Sequence, residues 1–380
     1  MTFWQLIIRE IKAIATDKAI ALTLFGGVIF YSILYPLPYL NEVPTKQPIV
    51  VVDLDHSSLS RELIEHANAS PKLLVAAQVG SITAAQQLIS ESRAHGLLVI
   101  PANFKRDLLT GKGVTLAYAG DASYFLIYSD VIEGLVTVGM DLNQQIQLKS
   151  LLAHGQSRQK AEQTIDPIHL NSVPVFNKIL GYTPYVVPGL FLLILHQTLL
   201  IGGAILGAGQ WRKQGYWSDV GAVKLVCGRI CAFSIIYLFF SSFYVGYCYY
   251  LYEVSLLANA ITIGLLMLPF ILATAACGLA LSCLFTRRDL PTQVVLLASM
   301  PILFVSGFVW PIGLIPEPLV WLSQIVPAIP AIMAMLKLNQ LGADWSVILP
   351  LWLHLWLLFA IYFALACYGF TRHKRPQLID

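Results

Sequence analysis

The chain has 380 residues, 57% of them hydrophobic and 12% charged, where a soluble globular protein carries about 25% charged residues. That balance excludes an ordinary soluble domain. The net charge of +3 says little as a total, nothing points to nucleic acid, and all six cysteines (Cys227, Cys231, Cys248, Cys277, Cys283, Cys367) lie in the apolar second half without metal-ligand spacing.

Seven long stretches lack Asp, Glu, Lys and Arg: 19–41, 179–211, 230–252, 254–286, 290–316, 318–336 and 345–371. Roughly 20 apolar residues rising 1.5 Å each cross a ~30 Å hydrocarbon layer, so the chain reads as a polytopic membrane protein. Residues 1–18 precede the first stretch. There Phe3, Trp4, Ile7, Ile8, Ile11 and Ile14 alternate with Arg9, Lys12 and Lys18, the pattern of an amphipathic helix lying in the membrane interface. The stretch 19–41 is too long for a signal-peptide core, and no small-x-small cleavage site follows it, so it is expected to stay as an anchor.

Residues 42–184 are expected to form an extracytoplasmic α/β domain. Pro48 to Asp53 is a β-branched strand, with a helix after Ser57-Ser58. Lys72 to Ala77 is a second strand, followed by a helix for which Thr83 and Gln86 offer a capping box. Gly96 to Pro101 is a third strand, Phe104 to Leu109 a short helix ended by Gly111, and Val114 to Ala119 a fourth strand. Phe125, Tyr128, Ile132, Leu135, Val136, Gly139, Leu142 and Ile146 then recur at helical spacing.

Basic residues orient the crossings. With a cytoplasmic N-terminus, the inner segments hold Arg9, Lys12 and Lys18, then Arg212, Lys213 and Lys224, then Arg287 and Arg288, then Arg372, Lys374 and Arg375. The short outer loops hold Glu253, Glu317, Asp344 and a single lysine, Lys337. Seven crossings would put the basic C-terminal tail outside. The stretch 318–336, with Pro318, Pro327 and Pro330, is therefore read as part of a re-entrant pair over 313–344. The expected crossings are 19–41, 185–208, 226–252, 256–285, 290–312 and 345–370. The inner loop 209–225 and the tail 371–380 share the cytoplasmic side with the N-terminus.

Several motifs invite chemistry. Asp53-Leu54-Asp55-His56-Ser57 imitates a phosphoryl-transfer DxDxS, but no later acidic pair for magnesium follows. The alternative is that both aspartates end a strand and cap the next helix. No GxxxxGK[ST] occurs, so the chain has no P-loop for ATP. His196 and Gln197 fall inside the second crossing, where a polar group serves either a translocation pathway or interhelical hydrogen bonding. Gly203 and Gly207 form a GxxxG that suits close helix packing or a subunit contact. Between the second and third crossings, Trp211, Arg212, Lys213, Gly215, Tyr216 and Trp217 mix aromatic and basic residues. That mixture fits interfacial anchoring or a short helix docking a soluble partner. The aromatics from Phe239 to Tyr252 suit packing, interface anchoring or an amphipathic path.

Over nearly its whole length the chain resembles the membrane subunits of type-2 ABC exporters, in the subfamily with a large external domain after the first helix. The resemblance rests on Val52-Asp53-Leu54-Asp55-His56-Ser57-Ser58-Leu59-Ser60, on Ile100-Pro101-Ala102-Asn103-Phe104-Lys105-Arg106-Asp107-Leu108-Leu109-Thr110-Gly111, and on Pro188-Gly189. In that family an Arg-Glu-x-Gly-Thr segment after the second crossing forms the coupling helix that meets the ATPase. Here Arg212 and Gly215 match, while Lys213 and Tyr216 depart from the pattern.

The resemblance implies a six-helix membrane protein with a mixed α/β extracytoplasmic insert. It implies no cofactor on this chain, ATP and magnesium on a separate ATP-binding subunit, and a second permease subunit. A periplasmic adaptor and placement in a bacterial inner membrane are also implied. The expected function is outward movement of hydrophobic or amphipathic compounds, such as drugs, lipids or lipid-linked molecules. The competing expectation is a membrane-anchored sensor or scaffold whose external domain binds a ligand or protein.

Overall fold

The computed structural model describes residues 1–40, 45–168, 173–177, 181–211, 214–285 and 287–374. Two compact units emerge, one from Met1–Glu42 with Pro174–Asp380 and the other from Val43–Val173.

Helix α1 (Phe3–Thr16) opens on a capping box: the Gln5 N–H donates to Thr2 Oγ1 at 3.3 Å and the Thr2 N–H to Gln5 Oε1 at 2.9 Å. The helical period divides α1 into three faces rather than two. Leu6, Ile7, Glu10 and Ile14 are buried against the rest of the unit, Trp4 and Ile8 point out as an exposed apolar strip, and Arg9 and Lys12 occupy the remaining side. Asp17 then leaves helical geometry and caps α2 (Lys18–Tyr39), accepting the N–H groups of Ala19 at 3.1 Å and Ile20 at 3.3 Å. A π-turn spans Leu22–Gly26 inside α2.

The second unit is a four-stranded sheet between helical layers. Strands β1 (Gln47–Asp53), β2 (Leu73–Val79), β3 (Gly96–Ile100) and β4 (Ala117–Gly120) lie in the order β2-β1-β3-β4, parallel except for the β3–β4 pair. β1 lies inside the sheet, and this explains its unbroken Ile49-Val50-Val51-Val52 run, since a strand covered on both faces has no polar side. Helices α3 (Ser58–Ala69), α4 (Ile82–Ser90) and α5 (Phe104–Leu109) follow the first three strands. After β4 come α6 (Phe125–Ala153) and α7 (Arg158–Ile165). One face packs Ile49, Val51, Leu98 and Ile100 with Leu63 of α3 and Val131 and Leu135 of α6. The other packs Val50, Val52 and Leu97 with Ala85 of α4. The cap of α4 is Ser81, whose hydroxyl accepts the Ala84 N–H at 3.2 Å, and not the expected Thr83 box. Ser81, in the extended geometry of an N-cap, starts this helix two residues earlier.

The first unit resumes with α8 (Thr183–Ala208), α9 (Ala222–Leu251) and α10 (Ala260–Ser282), followed by α11 (Leu290–Val305). The chain ends with α12 (Glu317–Ser323), α13 (Ala328–Gln340) and α14 (Trp345–Lys374). Among the described residues five helices, α2, α8, α9, α10 and α14, are long and apolar enough to cross a membrane. The count rises to six if α12 and α13, bent by 98° at their junction, make one broken span. The segment expected to cross over 290–312 is shorter than predicted. α11 has 16 residues, about 24 Å of helix, because Ser306 ends it and Gly307 turns away at φ +87°.

Glycines bring α8 and α10 together: a Cβ on Gly203 would lie 3.4 Å from the Gly278 carbonyl carbon, and one on Gly278 would lie 2.8 Å from the Leu200 oxygen. The GxxxG thus packs within the chain, with Gly207 against Ser282.

Candidate functional site

The loop between α8 and α9 is fastened to two other helices, α10 and α14. Trp211 donates its indole N–H to the Ser282 carbonyl at the end of α10, at 2.7 Å. Its ring lies edge-on to Phe370 at 4.8 Å and stacks on His373 at 4.4 Å, both in α14. Further on, the Gly215 N–H donates to Ser218 Oγ at 3.2 Å, the Ser218 N–H donates to the Gly215 carbonyl at 2.9 Å, and the Trp217 ring covers Gly215 so closely that a Cβ has no room. Tyr216 and Trp217 meet edge-to-face at 5.2 Å and rest half-buried on the membrane core. The structure therefore brings Trp211, Gly215, Tyr216 and Trp217 into one short segment. Arg212 and Lys213 lie outside the described residues. Around them Gln214, Ser218 and Asp219 are exposed.

Beneath this loop lies a feature that the sequence reading passed over. Glu10 of α1 and Arg229 of α9 are both buried, at 0% and 1% exposure, with Arg229 Nε 3.3 Å from Glu10 Oε2. Arg229 Nη2 also donates to Gln210 Oε1 at the start of the loop, and the guanidinium sits over the Phe370 ring at 5.2 Å. Tyr216 adjoins the same cluster. Burial first, then the Glu10 carboxylate, pushes its phenol well above the usual tyrosine range. The Arg9 guanidinium lies 5.9 Å from the Tyr216 ring centre. A signal for this cluster existed in the sequence: Glu10 falls on the same helical face as Phe3, Leu6, Ile7 and Ile14, interrupting an otherwise apolar stripe.

His196 is 1% exposed near the middle of α8, and neither ring nitrogen has a hydrogen-bond partner among the described residues. Gln197 beside it is half-buried. Two residues along, Thr198 accepts the Tyr237 hydroxyl at 2.8 Å and donates to the Ile194 carbonyl at 2.7 Å. The aromatic run of α9 splits by role. Phe240, Tyr244 and Tyr249 are buried, Tyr244 donates to the Val28 carbonyl at 2.7 Å and stacks on Phe191 at 4.2 Å, while Phe239, Tyr247 and Tyr250 stand exposed.

In the sheet unit, the DxDxS aspartates act as caps. Asp53 Oδ1 accepts the N–H groups of Asp55 and His56, each at 3.0 Å, and Oδ2 accepts the Ser60 hydroxyl at 2.7 Å. Asp55 Oδ2 accepts the Lys105 N–H at 3.1 Å, at the start of α5. Burial pulls its acidity one way, but hydrogen bonds from Ser57 and from the Lys105, Phe104 and Asn103 backbone win and hold its carboxyl below the usual aspartate value. His56 and Asn103, both left-handed at φ 51° and 64°, shape the two turns that meet here. No group of three or more His, Cys, Asp or Glu suited to a metal is present among the described residues.

A family model described as "ABC-2 family transporter protein" matches residues 18–368. No curated protein matches the chain. The apolar helices, the loop fastened across their ends and a match over most of the length agree. The chain belongs to the ABC-2 transporter family, as a multi-pass permease subunit of the kind that partners an ATP-binding subunit.

Proposed function

We propose that this chain is the membrane half of an ATP-driven exporter for hydrophobic or amphipathic compounds, working as a pair of permease subunits over two ATP-binding subunits. The observation that carries the reading is the α8–α9 loop. Trp211 is anchored on α10 and α14 while Gln214, Ser218 and Asp219 remain exposed, an arrangement suited to receiving a push from a soluble partner. In the sequence two positive charges, Arg212 and Lys213, stand between Trp211 and Gln214. On this reading the loop, both termini and α1 face the cytoplasm, and the sheet unit lies on the far side of a bacterial inner membrane. The asymmetry of basic residues supports that orientation. ATP closes the partner dimer, the loops follow, and the two membrane halves rock against each other. A periplasmic adaptor extends the path outward.

Support for an apolar cargo comes from polarity. Ion paths are built from rings of charge or carbonyls. The buried charged side chains within the membrane unit are Glu10 and Arg229, among the described residues, and they are paired with each other. The test is co-expression of the tagged chain with a separately encoded ATP-binding subunit, followed by reconstitution. The expected outcome is a complex that hydrolyses ATP, with Arg212→Glu plus Lys213→Glu weakening assembly or separating hydrolysis from movement of a fluorescent phospholipid. A chain that purifies alone and is indifferent to charge reversal at the loop contradicts the reading and favours a membrane-anchored sensor.

A further inference from the structure

A charge pair without solvent access is a costly way to hold two helices. Desolvation consumes most of the Coulomb attraction, and a well-packed apolar pair of similar volume often gives equal or greater stability. What such a pair supplies is registration, because neither partner tolerates separation once both are buried. In this chain the pair joins three pieces of backbone. Glu10 comes from α1, Arg229 from α9, and Gln210, on a second nitrogen of the same guanidinium, from the start of the α8–α9 loop. Close packing surrounds it: the Leu6 side chain fits against Gly228, where a Cβ would lie 2.6 Å from Leu6 Cδ2, and Lys224 Nζ donates to the Met1 carbonyl at 2.8 Å. A second tie, Arg288 to Asp17, fastens the end of α1 to the segment between α10 and α11.

Resting on the permease reading above, we propose that Glu10 and Arg229 form a buried clamp that makes the α8–α9 loop, α1 and α9 move as one body, so that a push on the loop reaches α1 and the third span together. Both are positioning residues: they act through the loop and touch neither nucleotide nor cargo. The Trp4 and Ile8 strip of α1 is exposed and apolar, so the moving body carries a surface suited to lipid on the side away from the clamp. Displacement of the loop would then drag an interfacial helix through the bilayer surface as well as tilting α9.

The test uses the whole chain in complex with its ATP-binding subunit, in a cysteine-free background, with spin labels on Trp4→Cys and on Gly221→Cys, an exposed loop position with open space around it. Distances are measured without nucleotide and after trapping with ATP and vanadate. The clamp predicts the same narrow α1-to-loop distribution in both states, while the distance between the two loops of the dimer changes. In Glu10→Leu plus Arg229→Met, chosen because an apolar replacement keeps the site packed, the complex assembles and hydrolyses ATP. There the α1-to-loop distribution broadens or shifts with nucleotide, and phospholipid movement per ATP falls roughly tenfold. A purely structural pair gives a double variant as well coupled as the native chain, which overturns the proposal. So does an α1-to-loop distance that changes with nucleotide in the native pair, and that arm needs no clamp variant to fold. Failure to recover any ATP-binding subunit with the native chain refutes the permease reading instead, and the clamp falls with it.

Discussion

Helices α8 and α14 are nearly equally apolar, yet 94% of an 18-residue apolar stretch of α8 is buried inside the chain and only 17% of such a stretch of α14. Apolar side chains in a bilayer gain little from choosing protein over lipid, so hydropathy cannot tell a central helix from a peripheral one. Close approach can. α8 carries Gly202, Gly203 and Gly207, which admit Leu24, the backbone at Gly278 and Ser282, whereas α14 presents Val347, Leu353, Leu357, Ile361 and Leu365 outward. The small residues, rather than the hydrophobic ones, decide which helix becomes the hub.

The largest loss is expected where the interior holds charge. Glu10→Ala leaves Arg229 buried without its carboxylate and should cost about 3–5 kcal/mol, read as loss of folded protein in detergent, with Arg229→Met restoring much of it. Next comes the hub contact. Gly278→Leu forces a side chain into the Leu200 backbone and should cost about 1–3 kcal/mol or more, seen as a lowered melting midpoint. By contrast, Leu353→Ala on the outer face of α14 should stay within about 0.5 kcal/mol. A drop as large as that at Gly278 would break the comparison, because it would mean that another subunit covers this face.

The sheet unit offers a pH-dependent counterpart with a smaller effect. Asp55 titrates below its unfolded value of about 3.9, so its contribution is present above that pH and is lost as pH falls through the lower folded value. Asp55→Asn should therefore melt earlier than the native chain near neutrality, with the gap closing as the solution is acidified towards pH 3. An unchanging gap would remove the ionised carboxylate from the account.

Much of the architecture was readable in the sequence because it is local. The Ile49 to Val52 run, the helix start beside Ser57-Ser58, and the period of 125–146 each reflect forces acting within a few residues. The end of α11 is not legible in the sequence, because a charge-free run does not reveal where Gly307 turns the chain. The site was half visible. Trp211 to Trp217 stand out by composition, but Glu10 and Arg229 are far apart in sequence, and each alone resembles an ordinary charge near a membrane surface. His196 was noticed for its polarity, whereas its enclosure in the most buried span came only from tertiary packing.

The central claim is that the α8–α9 loop meets an ATP-binding partner on the side opposite the sheet unit. Sided labelling tests it most directly. The six free cysteines all lie in the first unit and are removed beforehand, and an impermeant thiol reagent is applied to Asp219→Cys and, separately, Lys112→Cys, both at exposed positions. The account predicts that Lys112→Cys labels only in right-side-out vesicles. Asp219→Cys should label only in inverted ones, and lose that labelling when the ATP-binding subunit is bound. Labelling of both positions from one side, or an Asp219→Cys signal indifferent to the bound subunit, would contradict it.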